Sequence, residues 1–374
     1  MWNARYCIRG IFAITTAILA IGCGATVGVE QPRVEPTAVP STVAPHALAV
    51  EPAVYLDGLM LPVSLQFAQD GRLFFVEVNK GQVRLAEGGV LRPEPVATLD
   101  VAKGAEQGLV GLVLHPRFSE NGWLYLYYAV PNRNGKIDFN RVVRMTERGG
   151  VATDPITIVD KIPADVKGSH NGGRMRFGAD GKLFIGTGQA GDEPSGEPKL
   201  AGLQGKMLRI NDDGTSPTDN PFPGTPVFAM GLRNPFGFDF HPVTGALYGV
   251  DNGPKGYDEL NLIKPGGNYG WPGVIGAPSD PRYADPIWNS GPERLGMSGF
   301  MFYRGDQFPE YRGDAFQCLW NAGSLRRLRF GGPLGDRAEV VEDLSADCRL
   351  DVSNGPDGAI YVAGITKIYR ISRT

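Results

Sequence analysis

The sequence predicts an all-β protein, a six-bladed β-propeller. Three observations lead there: a composition rich in turn formers, a hairpin unit that recurs six times, and no strong amphipathic helix interrupting the series. The 374 residues include 52 Gly and 30 Pro. That usage fits many short strands joined by tight turns.

Each unit is an apolar strand, a turn ending in Gly, and a second apolar strand. Asp70-Gly71 precedes Arg-Leu-Phe-Phe-Val, Asn121-Gly122 precedes Trp-Leu-Tyr-Leu-Tyr, and Asp180-Gly181 precedes Lys-Leu-Phe-Ile. Thr244-Gly245 precedes Ala-Leu-Tyr, Arg312-Gly313 precedes Asp-Ala-Phe-Gln-Cys-Leu, and Asp357-Gly358 precedes Ala-Ile-Tyr-Val. Asp-Gly and Asn-Gly supply the positive φ of tight hairpins. The aromatic and branched runs favour strand. The turns fall 45 to 68 residues apart, room for a four-stranded blade with its loops. The fifth unit is the least regular.

The N-terminus predicts export. Arg5 and Arg9 precede an apolar run from Ile11 to Gly22, too short to span a bilayer comfortably. Cys23 follows, in a setting that resembles a lipoprotein cleavage box. Residues 1–22 are therefore expected to be a signal peptide, 23–52 a Pro-, Ala- and Val-rich tether, and 53–374 the propeller. The expected location is periplasmic, or membrane-anchored by lipid on Cys23. A net charge of -3 provides no basic surface for nucleic acid. Cys7 leaves with the signal. Cys318 and Cys348 remain, as a disulfide or as two buried thiols.

One slot carries chemistry. Counting back seven residues from Leu114, Phe177 and Phe240, each the last apolar residue before its turn, reaches Gln107, His170 and Arg233. Equivalent positions in radial repeats point to one axis, so an amide, an imidazole and a guanidinium converge. His115 and His241 sit in His-Pro steps at turns and read as structural.

The stretches around these residues are Gln107-Gly-Leu-Val-Gly-Leu-Val-Leu-His-Pro, His170-Asn-Gly-Gly-Arg-Met-Arg-Phe and Gly205-Lys-Met-Leu-Arg-Ile-Asn. Then come Gly231-Leu-Arg-Asn-Pro-Phe-Gly, Asn252-Gly-Pro-Lys-Gly-Tyr-Asp-Glu-Leu-Asn and Gly266-Gly-Asn-Tyr-Gly-Trp-Pro. Together they resemble the soluble quinoprotein sugar dehydrogenases, the glucose/sorbosone dehydrogenase family. The likeness runs more loosely from about Leu59 to the C-terminus.

That resemblance implies a propeller that binds pyrroloquinoline quinone (PQQ) and calcium, oxidises aldoses at C1 to lactones, and hands electrons to an acceptor. It implies His170 as general base, a role that suits an imidazole near neutral pH. It puts Arg233 beside the quinone oxygens as a fixed positive charge, with Gln107, Asn234 and Arg326 as further cofactor contacts. It makes the carbonyls of Gly253 and Pro254 calcium ligands, hard oxygens of the kind calcium accepts. Asp258 and Glu259 would support that loop or be solvated. A second calcium would use the carbonyls of Ile275 and Ala277 with Asp280.

Four features depart from the family pattern. Ser169 stands where an acid precedes the histidine. Gln189 stands where Thr-Gly-Asp is common. Cys348 and Leu350 replace two cofactor-facing arginines, and Arg349 between them is expected to point away by strand alternation. Short late loops leave the sugar cleft undefined. A quinone-free propeller acting as a carbohydrate- or protein-binding module is the second reading. A calcium-dependent lactonase, which needs acidic ligands near the axis, is the third.

Overall fold

The computed structural model describes residues 52–191, 198–332 and 335–373. The expected signal segment and all but Pro52 of the expected tether lie outside them. Among the described residues the chain is almost entirely strand, arranged as six small antiparallel sheets. Neighbouring innermost strands pack in sequence, and the last packs against the first. The architecture is a six-bladed β-propeller.

The innermost strands are Pro62–Phe67, Leu109–Leu114, Gly172–Phe177, Pro235–Phe240, Met297–Phe302 and Asp351–Asn354. Each leads through its turn into a second strand: Leu73–Glu77, Trp123–Pro131, Leu183–Thr187, Leu247–Asp251, Ala315–Leu319 and Ile360–Ala363. The six turn glycines named above all have φ between +68° and +87°, as the Gly-terminated turns require. The irregular fifth unit owes its irregularity to the longest of these connections, which contains a 3-10 turn at Pro309–Tyr311.

The ring is closed by strand exchange. Ala53–Leu56 pairs antiparallel with Ile368–Ile371 and completes the sixth blade with the start of the domain. Closure removes the free edges an open sheet would present.

Two features make the inner ring tight. Glycines let adjacent inner strands touch by backbone: a Cβ at Gly111 would lie 2.1 Å from the Gly173 carbonyl oxygen, and one at Gly237 would lie 2.1 Å from that of Ser298. Farther out, aromatic rings wedge between blades. Tyr125 meets Phe177 and Tyr248 meets Phe302, each with ring centroids 5.4 Å apart. Cys318 and Cys348 form a disulfide, with a Cα separation of 4.9 Å, joining the fifth blade to the approach of the sixth.

Candidate active site

The approaches to the inner strands enclose a cavity of about 390 Å³ on the axis. Its apolar wall comprises Leu61, Val63, Val78, Val110, Phe236, Met297, Trp320 and Leu350. The polar groups are Glu106, His170, Arg233, Asn234, Asn252, Ser298 and Arg349. The volume lies in the range of small-molecule sites, which pair an apolar wall with a few placed polar groups.

Backbone contacts from neighbouring segments hold His170. Its φ is +52°, uncommon for a residue with a Cβ. Its N–H donates to Glu106 Oε2 at 2.8 Å, and its carbonyl accepts from the Ala190 N–H at 3.0 Å. A Cβ at Gly188 would sit 1.8 Å from that carbonyl oxygen, so only glycine fits there. Buried Asn171 follows. Its carbonyl accepts from the Tyr127 hydroxyl at 2.8 Å, and its Oδ1 accepts from Asn140 Nδ2 at 3.1 Å.

Asp251, at the end of its strand, organises Arg233 and Asn234. Its Oδ2 accepts from the Arg233 N–H at 2.8 Å and its Oδ1 from the Asn234 N–H at 2.5 Å. Burial pushes the Asp251 carboxyl up to about 6, against the pull of these hydrogen bonds. Asn234 Nδ2 donates to Glu106 Oε2 at 3.1 Å, and its Oδ1 accepts from the Gly172 N–H at 3.3 Å. The Arg233 guanidinium lies 5.2 Å from the Trp271 ring centroid. Its Nη1 donates to the carbonyls of Asn252 at 2.7 Å and Gly253 at 3.3 Å.

Gly253 and Pro254 line a pinched void of about 10 Å³ with Arg233, Asp251 and Glu259. Asp258 is bound up in loop structure: its carboxylate accepts from the N–H groups of Gly253, Leu295 and Gly296 at 2.8 to 3.0 Å. Burial pushes the Glu259 carboxyl up to about 8, with the Asp251 charge adding to the effect. Among the described residues no three His, Cys, Asp or Glu side chains form a metal cluster. Asp280 is paired with Arg282 at 2.7 Å.

The structure therefore brings His170, Arg233 and Asn234 to one cavity, with Gly253 and Pro254 next to it. Two residues expected as cofactor contacts are absent from this cavity wall. Gln107 does not line the cavity; its side chain lies against Gly104 and Gly168. Gln107 stands two residues before its strand, as His170 and Arg233 do before theirs, but residues 105 and 106 form a turn just ahead of it. That turn presents Glu106 instead. Arg326 lies within the strand Ser324–Gly331 and makes two 2.7 Å bonds to Asp343 on the neighbouring strand. It is absent from the cavity wall.

Arg349 also differs from expectation. Residues 348–350 lie outside any strand, with a bend at 349 and 350 before Asp351–Asn354, so alternation does not govern them. Arg349 belongs to the cavity wall, where its Nη1 donates to the Trp320 carbonyl at 2.5 Å. Leu350 contributes apolar wall, and Cys348 is committed to the disulfide.

Trp271 lies inside the motif at 266–272 but had no role assigned to it; Glu106, Asp251 and Trp320 were not singled out at all. Only Asp251 carried a usable signal, as a carboxylate closing an apolar strand two residues before Gly253-Pro254.

Comparison with known proteins places this geometry. The family model described as glucose/sorbosone dehydrogenase matches residues 59–368. The aldose sugar dehydrogenase YliI of Escherichia coli is 29% identical over 348 residues, covering 85% of this chain and 90% of that protein. A solved structure from Thermus thermophilus, described as an oxidoreductase of the glucose dehydrogenase kind, superposes with a TM-score of 0.76 at 36% identity, covering 86% of this chain and 99% of its own. The PQQ-bound aldose sugar dehydrogenase of Streptomyces coelicolor superposes with a TM-score of 0.72 at 26% identity, covering 85% and 96%.

Proposed function

The chain belongs to the glucose/sorbosone dehydrogenase family, and from that premise we propose that it is an exported, PQQ- and calcium-dependent dehydrogenase that oxidises aldoses at C1 to lactones. The observation that carries the reading is the axial cavity in which His170, Arg233 and Asn234 meet an apolar wall. Relatives named for aldose oxidation, one of them solved with PQQ bound, support it.

The residues present fit the cofactor by donor chemistry. PQQ is flat, aromatic and carboxylated. Arg233 and Arg349 offer two guanidinium groups, Asn234 an amide, and Phe236, Met297 and Trp320 apolar surface. Gly253 and Pro254 offer carbonyl oxygens to calcium. The Gly253 oxygen has two lone pairs, so its bond from Arg233 leaves one available. When bound, the quinone supplies the acceptor for the hydride leaving C1 of the sugar.

The chain's own groups do the rest. His170 takes the proton of the C1 hydroxyl on a ring nitrogen; the O–H pair stays to make the second bond of the carbonyl while the C1–H pair leaves as hydride. Arg233 places positive charge where negative charge develops on reduction. Asp251 fixes the backbone of Arg233 and Asn234. The apolar wall excludes water, which strengthens each of these interactions. A small-molecule aldose is the substrate and an external electron acceptor completes turnover.

The binding-module alternative rests on Cys348 and Leu350. Arg349 on the cavity wall restores one cation near the positions they vacated and weighs against it. Export and lipid anchoring rest on Arg5, Arg9, residues 11–22 and Cys23. Loss of lipid labelling in Cys23→Ser tests the anchor.

The deciding experiment titrates PQQ into the calcium-loaded protein and follows reduction of an artificial acceptor with a panel of aldoses. Saturable binding with sugar-dependent reduction, abolished by His170→Ala while PQQ still binds, is the expected result. Absence of PQQ binding at micromolar concentration overturns the reading.

A further inference from the structure

The carboxylate of Glu106 stands in the cavity wall, in a site read above as a host for a carboxylated cofactor. Like charges repel, so attraction to that cofactor does not explain it. Its hydrogen bonds do. Oε2 accepts from the backbone N–H of His170 at 2.8 Å and from Asn234 Nδ2 at 3.1 Å. The Glu106 carbonyl also accepts from Asn171 Nδ2 at 3.3 Å. One residue preceding the second blade thus binds the approaches to the third and fourth.

The bond to His170 has the greater consequence. A histidine at φ +52° persists only where the surroundings over-determine it. Ala190 holds the carbonyl side and Gly188 leaves it no slack. The N–H side is held by a side chain from another blade, through a charge-assisted bond stronger than a neutral one. Where the imidazole stands in the cavity therefore depends on a carboxylate that holds the backbone N–H of the same residue.

We propose that Glu106 is a positioning residue: it sets the backbone of His170 and the amide of Asn234, and so aims the proton-accepting imidazole at the sugar. The proposal rests on the reading of His170 as the base. It also implies that the hydrogen-bond acceptor is what matters for geometry, while the charge opposes binding of an anionic cofactor.

Glu106→Gln and Glu106→Ala separate the two. Gln keeps an acceptor oxygen and removes the charge; Ala removes both. In full-length protein with isotopically labelled histidine and without cofactor, the His170 ring signals, assigned through His170→Ala, are compared with those of His115 and His241. Glu106→Ala is expected to move the His170 signals alone and to lower kcat by about 100-fold in the reconstituted enzyme, the penalty of a misplaced group. Glu106→Gln is expected to restore the His170 signals and most of kcat, and to bind PQQ more tightly than the parent. Unmoved His170 signals in Glu106→Ala, or a Gln variant as impaired as Ala, overturns the proposal. Should Glu106→Ala fail to fold, the Gln variant still decides through its ring signals and PQQ affinity. If the parent oxidises no aldose, the functional reading fails, yet the ring signals still report whether Glu106 positions His170.

Discussion

Arg174 and Asp351, separated by 177 positions in the chain, form a buried ion pair at 3.1 Å that spans the propeller from its third blade to its sixth. The same guanidinium donates to Ser64 Oγ at 3.1 Å, the Leu350 carbonyl at 2.8 Å and the Phe236 carbonyl at 3.1 Å. Asp351 Oδ2 also accepts from the Leu65 N–H at 2.9 Å. Four blades therefore meet at one arginine, which lies against the cavity through Leu350 and Phe236.

Removing one partner leaves the other charge buried. Arg174→Ala is expected to lower stability by about 3–5 kcal/mol, because an orphaned buried carboxylate keeps its desolvation penalty. Chemical denaturation measures this. A change under about 1 kcal/mol would show that water replaces the guanidinium on the axis.

Asp251 holds Arg233 and Asn234 by their backbone N–H groups, so its effect on catalysis is indirect. Asp251→Ala is expected to reduce kcat/KM by about 100-fold, since two site residues lose their common anchor. Steady-state kinetics of the reconstituted enzyme check it. Unchanged kinetics would mean that the strand end positions these residues without the carboxylate.

Glu259 carries a folded-state pKa raised to about 8 by burial, against an ordinary value of 4.5. Between those two values the folded chain keeps a proton that the unfolded chain releases. Stability therefore falls as pH rises through that window and levels off above it. Glu259→Gln should remove this contribution, so that the parent loses about 3 kcal/mol more than the variant between pH 5 and pH 8. Denaturation midpoints at the two pH values, measured without added metal, give the comparison. Parallel curves would place the charge of Glu259 in contact with water.

The Cys318–Cys348 bridge closes a loop across a sequence separation of 30 residues. A double replacement by Ala is expected to lower stability by about 3–4 kcal/mol. It should also loosen Arg349 and Leu350, the two cavity residues that follow Cys348. Mass spectrometry of an unreduced digest tests the bridge itself; free thiols at both positions would remove the basis of the prediction.

The repeat, and therefore the ring, is written in the chain's local pattern. Six Gly-terminated turns at blade-length spacing, each before a run such as Leu73-Phe-Phe-Val, express local rules of turn geometry and strand preference, which need no distant contact to operate. The motif-bearing histidine, arginine and asparagine at 170, 233 and 234 were legible for the same reason. Each occupies the slot one or two residues before its inner strand; Gln107 stands equally near Leu109, but there a turn at residues 105 and 106 precedes the slot and the side chain is absent from the cavity wall. Tertiary structure decided what lies beyond strand ends. The turn before Leu109 exposes Glu106 and tucks Gln107 away, and the bend at 349 and 350 brings Arg349 to the cavity against the alternation of a strand. Arg326 obeys its strand and pairs with Asp343, which no local pattern announces. Arg174 finds Asp351 only because the ring closes. Loop conformation and contacts across the axis are set by the summed packing of all six blades, and that sum is not written in any one of them.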